Sequence, residues 1–460
     1  MYEKDVLREM LYEAMIIGDD IAYVDIYNKY KVKYDFIKNY SLLIGTNELE
    51  HSNFYKSIIG QIHTKKYFDS FTKDGKEIYL VNPFADYKNL LYISEHFKKE
   101  PYVDHTIFLD NQAVNMFVRF FDKKIQNDFV DTQIKYGLDL NYLLYVLEDY
   151  VNPHHRNFKP NMTFEKIYKL DVINHLNKEI FSNTGEVLID IKRIQSHGFQ
   201  TVDMLVEDRK SYFTHFIDKH KYNLQLQTQI INENTIKYYF DENFKEVDIN
   251  QVLADYYLIF GFVIKIIIEN WKNISIENKL NNLYDSMVMK GRVFKHLLEF
   301  AYRYFDNNHI YSDFFKYDKK MTYDNIIQRT HNISWDIFLY SISLHFISSP
   351  RKRFEKIQAD FGIGQFVTKD TPLFKSYISG YDRKIFLIKK SKFGNTHDVI
   401  NSPSLTTEKV EAILDEYNMQ NVNKIQVVKN KNFNLFKKYP YQIALLFCEQ
   451  MKSELKLNYL

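Results

Sequence analysis

Gln365-Phe366-Val367-Thr368-Lys369-Asp370 is the stretch from which the fold prediction starts. Its apolar residues predict a short strand that ends in Thr-Lys-Asp. Thr106-Ile107-Phe108-Leu109-Asp110-Asn111 has the same form, because an apolar strand again runs into an aspartate. Strands that deliver carboxylates at their C-terminal ends build an acidic cluster at one edge of a sheet, where α/β proteins bind ligands. The two stretches therefore predict an acidic cluster at the mouth of a sheet.

Two further acids come from predicted helices. Asn332-Ile333-Ser334-Trp335-Asp336-Ile337-Phe338-Leu339 places an aspartate at the predicted start of a largely apolar helix, in which Trp335 is interpreted as a core residue. The apolar helix predicted over residues 139–151 ends near Glu148 and Asp149, and either acid fits as the second member of the cluster.

The bulk composition limits the fold and the compartment. A chain of 460 residues predicts two or three domains, or one domain with a large insertion. Only 13 glycines and 8 prolines favour long helices over a turn-rich all-β fold. The net charge of +2 argues neither for nor against a polyanionic partner. The single cysteine, Cys448, allows no intramolecular disulfide and fits a cytoplasmic protein, and its apolar neighbours predict burial.

Apolar patterns predict the remaining elements. Residues 1–45 and 87–98 are predicted to be helical, and residues 433–456 are predicted to form one amphipathic helix. The segment from Ala254 to Trp271 is apolar on nearly every side and predicts a central buried helix. Its most apolar part contains Lys265 and is too short to span a bilayer, so no membrane partner is expected. The charged N-terminus lacks the apolar core of a signal peptide.

The four acids predict a divalent-cation site. Asp110, Glu148, Asp336 and Asp370 would repel one another unless a cation neutralised them. Ligand sets made only of oxygen suit Mg²⁺ or Mn²⁺. Such an ion lowers the pKa of bound water and stabilises charge on a phosphodiester transition state.

In their order, these motifs resemble those of PIN-domain nucleases. The strand ending in Asp110, the acid-bearing helix at Glu148, the Trp335-Asp336 helix and the strand ending in Thr368-Lys369-Asp370 carry the resemblance. Two features depart from the pattern: Asn111 follows the first aspartate directly, and the long segment between Glu148 and Asp336 requires a helical insertion.

The resemblance implies a three-layer α/β/α sandwich around a central, mostly parallel sheet, with helix-rich additions. It divides the chain into an N-terminal helical elaboration (1–100), a PIN-like domain (101–392) with an insertion at about 153–330, and a C-terminal helical extension (393–460). It also implies a metal-dependent endoribonuclease, with RNA rather than DNA as the expected partner, and a toxin or anti-phage effector as one context. A regulatory protein or a second copy of the chain would be a further partner.

Several polar residues are candidates for contacts with substrate. They are Asn111, Thr368, Lys369, Arg351 and Arg353.

Each candidate also has a structural interpretation. Asp336 suits a helix N-cap, and Asp370 suits the start of a turn. Glu148 suits a solvent-facing position, and the run from Arg351 to Arg353 suits a solvated charged surface. The competing hypothesis for the whole chain is therefore a catalytically inactive helical scaffold that binds protein or nucleic acid.

Overall fold

The computed structural model divides the chain into two compact units. Unit 1 comprises Met1–Leu147, Glu165–Leu205 and Leu339–Leu405, and unit 2 comprises Glu148–Phe164, Val206–Phe338 and Thr406–Leu460. The structure describes residues 2–17, 20–46, 58–59, 79–81, 89–93, 103–109, 114–115, 118, 139–141, 144–145, 148, 166, 170, 249–345, 361–368, 372–373, 375–376, 385–390, 397–401 and 408–459.

Unit 1 begins with two helices that pack against a strand. These are α1 (Tyr2–Ile17), α2 (Asp20–Lys33) and β1 (Tyr40–Thr46), with a 3₁₀ turn at Asp35–Asn39 before the strand. Leu7, Tyr27 and Ile37 are fully buried in the core between them. The Tyr27 hydroxyl donates to the Tyr40 carbonyl at 2.6 Å, which satisfies a polar atom that would otherwise destabilise this core. The helical prediction for residues 1–45 is therefore correct only as far as Asn39.

The strands of unit 1 form two separate sheets. In chain order after β1 they are β2 (Ile58–Ile59), β3 (Tyr79–Val81), β4 (Asn89–Ile93), β5 (Val103–Leu109), β6 (Asp139–Asn141), β7 (Phe361–Thr368), β8 (Ile385–Lys390) and β9 (His397–Asn401). The first sheet has the order β2-β4-β1-β8-β9, and all of its neighbours are antiparallel. The second has the order β3-β7-β5-β6, in which β7, β5 and β6 are parallel and β3 is antiparallel.

The predicted three-layer sandwich with a central parallel sheet is wrong. In the part of the chain for which side chains as well as backbone are described, 84% of the residues are helical. That part contains one short strand and no sheet. The strands described through their backbone divide between the two small sheets, and one of these is wholly antiparallel. Apolar runs show where strands occur but not which strands pair, so the motifs did not specify this division.

One predicted helix is a strand. The segment at 87–98 was assigned to a helix, but Asn89–Ile93 forms β4 and pairs with β1 and β2. Pairing on both sides overrides a short, ambiguous apolar pattern, because strand propensity depends on neighbouring strands more than on the segment itself.

The described part of unit 2 is built from helices. They are α3 (Ile249–Trp271), α4 (Ile276–Met289), α5 (Lys295–Phe305), α6 (His309–Phe315), α7 (Tyr323–His345, of which the part up to Phe338 belongs to unit 2), α8 (Glu408–Gln420), α9 (Val422–Lys438) and α10 (Pro440–Tyr459). The helix predicted over 433–456 is two helices. Tyr439 ends α9, and Pro440 opens α10 at a first-turn position, where proline loses no helical hydrogen bond. In the described part of the chain, no helix combines the length and apolarity needed to span a bilayer.

The prediction of a central buried helix is confirmed by α3. Its side chains from Leu253 to Ile268 are mostly buried, and it packs most extensively against α10. Gly261 makes this approach possible, because a Cβ there would lie 2.7 Å from the Phe447 ring on α10. The bare glycine therefore lets two helices approach at the centre of the unit.

Glu269 is a fully buried carboxylate near the end of α3. It accepts hydrogen bonds from Lys272 at 2.7 Å and Asn282 at 3.0 Å, and it pairs with Lys265 at 3.0 Å. Burial raises the pKa of Glu269, but the bonds from these three side chains outweigh it, so the pKa lies below the ordinary value. The network ties the end of α3 to α4.

The turn between α4 and α5 is held against α9. Gly291 has a φ of 74°, and a Cβ there would lie 2.6 Å from the Asn432 carbonyl oxygen. The Asn432 amide donates to the Met289 carbonyl at 2.7 Å. Both the backbone angle and the close approach therefore require glycine at this position.

We expect Gly291→Ala to lower the free energy of unfolding of unit 2 by about 2 kcal/mol or more, because alanine is strained at this φ and its Cβ meets backbone atoms. Both tryptophans, Trp271 and Trp335, lie in unit 2, so intrinsic fluorescence during urea unfolding measures this unit. The control is Asn307→Gly, an exposed residue with φ 55°, which should change stability by less than about 0.5 kcal/mol. Equal stability of Gly291→Ala and wild type would contradict the close approach.

We expect Glu269→Gln to destabilise unit 2 by about 3 kcal/mol at neutral pH, since it removes the buried partner of Lys265, which keeps only the more distant Glu454 at 3.5 Å. Because the pKa of Glu269 is lowered in the fold, its contribution is present above about pH 4.5 and is lost as the pH falls through the folded-state pKa. Urea unfolding followed by fluorescence at several pH values measures both effects. Glu277→Gln, at an exposed position on α4, should change stability by less than about 0.5 kcal/mol at any of them.

Candidate functional site

The ends of three parallel strands lie side by side in unit 1. Leu109, the last residue of β5, pairs with Val367 of β7, and Phe108 pairs with Asn141, the last residue of β6. The C-terminal ends of the three strands therefore reach the same edge of the sheet. Leu109 is fully buried at this edge, and the side chain of Thr368, the last residue of β7, is 3% exposed. The strand positions predicted for 106–109 and 366–368 are confirmed.

Most of the predicted site residues lie outside the described part of the chain. Asp110 comes directly after β5 in the sequence, and Asp370 comes two residues after β7. Both acids and four of the predicted substrate contacts fall outside the described residues; those four are Asn111, Lys369, Arg351 and Arg353. Their roles remain predictions from the sequence.

Glu148 and Asp336 belong to unit 2. Glu148 is a partly buried helical residue, and its charge acts on the phenol of Tyr256. Asp336 is also partly buried, but the prediction that it opens a helix is wrong, because α7 begins at Tyr323. This placement excludes the N-cap interpretation of Asp336, since a cap lies at a helix end.

Tyr256 and His331 form the polar centre of unit 2. The Tyr256 hydroxyl lies 2.6 Å from His331 Nδ1, and both side chains are buried. Trp335 lies one turn after His331 on α7, with ring centroids 6.4 Å apart in a stacked arrangement. The Tyr256 ring meets Trp335 edge to face at 5.3 Å. Trp335 is 1% exposed, which confirms its interpretation as a core residue.

Burial controls the protonation of this centre. It is the main cause that raises the pKa of Tyr256 well above 10, and the nearby Tyr257, Cys448 and Glu148 raise it further. Burial also raises the pKa of the Cys448 thiol to about 12. The phenol and the thiol therefore stay protonated at neutral pH, so neither is a ready nucleophile. No sequence pattern indicates this centre, because Tyr256 and His331 are far apart in the chain and each lies in an apolar helix.

The described residues contain no group of three or more His, Cys, Asp or Glu side chains that could hold a metal ion. Only two of the four predicted carboxylates, Glu148 and Asp336, belong to that part of the chain. The four-carboxylate site thus remains a prediction, supported in unit 1 by the arrangement of the strand ends.

We expect Cys448 to be unreactive toward a thiol reagent in the folded protein at pH 8. With a pKa of about 12, roughly one thiol in ten thousand is ionised, and the residue is 1% exposed. Absorbance of Ellman's reagent should show no thiol in the native protein and one per chain after unfolding in guanidinium. The matched control is Leu446→Cys, whose position on the same helix is 72% exposed, and it should add one rapidly reacting thiol. Rapid native labelling of wild type would contradict the burial of Cys448.

Comparison with protein-family models, with curated proteins and with solved structures gives no match for this chain. The resemblance to PIN-domain nucleases therefore rests on the motifs quoted above.

Proposed function

We propose that this protein is a metal-dependent nuclease that hydrolyses phosphodiester bonds, with RNA as the preferred substrate. The observation that carries the proposal is the parallel pairing of β5 and β7, in which Leu109 lies opposite Val367. The sequence supplies one carboxylate directly after β5, at Asp110, and another two residues after β7, at Asp370. Ligand sites in parallel sheets form at this end of the strands.

A divalent cation gives these carboxylates a chemical role. Two aspartates that follow adjacent strand ends repel each other when both are ionised, and Mg²⁺ or Mn²⁺ removes that repulsion. The bound ion lowers the pKa of a coordinated water and neutralises charge on the phosphodiester as the water attacks phosphorus. Asp110 and Asp370 are the proposed ligands from unit 1.

The order of the motifs in the sequence also implies Glu148 and Asp336 as ligands, but the proposal rests on Asp110 and Asp370, which follow neighbouring strands of unit 1. Glu148 and Asp336 both belong to helices and both are partly buried, which suits carboxylates held in a fixed orientation. The proposed contacts with the substrate phosphates come from the basic side chains of Lys369, Arg351 and Arg353. Asn111 is also proposed to contact the substrate. Thr368 is proposed to position the Lys369-Asp370 pair, because its buried side chain fixes the end of β7.

We expect the purified protein to cleave a 5′-labelled single-stranded RNA in Mn²⁺ or Mg²⁺ and not in EDTA. Asp110→Asn and Asp370→Asn should each lower the cleavage rate about a hundredfold or more, because an amide is a poor ligand for these ions. The measurement is the initial rate by gel electrophoresis, with a DNA of the same sequence to compare substrates. The matched control is Asp313→Asn, at an exposed position on α6, which should retain the wild-type rate.

A second readout links the loss of cleavage to the loss of the metal. Isothermal titration with Mn²⁺ should show binding to wild type and to Asp313→Asn, and much weaker binding to Asp110→Asn. Undiminished cleavage by both Asp110→Asn and Asp370→Asn would mean that the site is assigned to the wrong residues. If wild type neither binds Mn²⁺ nor cleaves RNA or DNA, the inactive scaffold is the correct hypothesis.

A further inference from the structure

Helix α9 concentrates positive charge in a chain that is nearly neutral. It carries five lysines and no acidic residue, whereas the whole protein has a net charge of +2. Asparagines separate several of the lysines along the helix. Such a local excess attracts a polyanion even when the net charge of the protein does not.

The packed side of α9 is already occupied within unit 2. Phe436 is 3% exposed, and the Asn432 amide donates to the Met289 carbonyl at 2.7 Å. Gly291 brings the turn after α4 against the backbone of Asn432. One face of α9 therefore packs against the rest of unit 2, and the opposite face is left available for binding.

The open face of α9 alternates cations with apolar side chains. Lys431, Leu435 and Lys438 follow at intervals of four and three residues, so they lie in one row, about 10 Å long along the helix axis. Phe433 and Lys437, which are four residues apart, form a second row. Phe433 and Leu435 are about half exposed, at 53% and 48%. At the end of the helix, the Lys438 ammonium lies 5.1 Å above the ring of Tyr439, which is itself 43% exposed.

The lysines of this face have no counter-charge within ion-pair distance among the residues that the structure describes. Among the residues that the structure describes, neither Lys431 nor Lys437 takes part in an ion pair, although other lysines of unit 2, such as Lys265, do. An unpaired, solvated ammonium group can exchange its counterions for phosphates at little cost. The open face thus combines free cations with exposed aromatic rings.

We propose that the open face of α9 binds single-stranded nucleic acid. Lys431, Lys437 and Lys438 would contact phosphates, and Phe433 and Tyr439 would stack on bases, because cations with interspersed aromatic rings are the surface that single strands require. An anionic membrane is a poorer fit. A membrane-bound helix needs a continuous apolar face, whereas here lysines and Asn434 separate the exposed apolar residues. This inference goes beyond cleavage, since such binding needs no divalent cation.

The test is fluorescence polarisation with a labelled oligouridine of about 20 nucleotides, in EDTA so that no cleavage occurs. Affinity for wild type should fall steeply as the salt rises from about 50 to 200 mM. The variant Lys431→Gln/Lys437→Gln/Lys438→Gln should bind at least tenfold more weakly at the lower salt, and its salt slope should be smaller by about two, as expected for three lost phosphate contacts on a single strand. The variant Phe433→Ala/Tyr439→Ala should lose about fivefold in affinity without a change in slope.

The matched control removes the same number of exposed lysines from other elements of the chain, as Lys320→Gln/Lys409→Gln/Lys456→Gln. It should bind within about twofold of wild type, because it leaves α9 intact. Circular dichroism and thermal melting should be the same for wild type and both lysine variants, since every substituted lysine is exposed.

Three results would overturn the proposal. The first is an oligouridine affinity that falls equally in the α9 variant and in the control. The second is wild type that binds no oligonucleotide, whether or not it binds vesicles of phosphatidylserine. The third is binding to polyglutamate as tight as binding to the oligonucleotide, which would identify an acidic protein as the partner. Because all measurements are made in EDTA, none of them depends on the proposed cleavage.

Discussion

The burial of α3 on nearly every side is the constraint on which unit 2 depends. A helix that is apolar on nearly every side must be covered on every side, and α10 supplies the most extensive contact. The coverage is close enough that Gly261 has no room for a side chain against Phe447. The two charged residues near the end of α3, Lys265 and Glu269, are compatible with this burial because they pair with each other. The Tyr256 hydroxyl and His331 Nδ1 likewise satisfy each other inside the core.

The sequence predicted correctly those parts of the fold that leave a local apolar pattern. The segment that forms α3 is recognisable because its composition leaves no solvent-exposed face, and β5 and β7 are recognisable because short apolar runs end at polar residues. The apolar pattern of residues 89–93 fits either a helix or a strand, and only the pairing of this segment with β1 and β2 decides between them. The overall class was wrong for the same reason, since the allocation of strands to two sheets is a property of long-range pairing.

The candidate site follows the same division between local and long-range information. The sequence located the ends of β5 and β7, and in the structure these ends are parallel neighbours. It misplaced Asp336, because the apolar run after this aspartate suggested a helix start although α7 already extends back to Tyr323. The Tyr256–His331 pair was missed altogether. A hydrogen bond between residues of separate helices leaves no periodic signal in either of them.

Two consecutive helices of unit 2 carry charge of opposite sign, so the net charge of the chain conceals a local excess of positive charge on α9. Helix α8 carries four acidic residues and one lysine, whereas all the charged residues of α9, which follows it, are lysines. One acid of α8, Glu411, pairs with Lys295 of α5, and Tyr417 donates to Asp285 of α4, so α8 is joined to the neighbouring helices. Lys431 and Lys437 have no such role among the described residues. Because nothing in the helical packing requires these charges, their concentration on the open face of α9 is better explained by a polyanionic partner than by the fold.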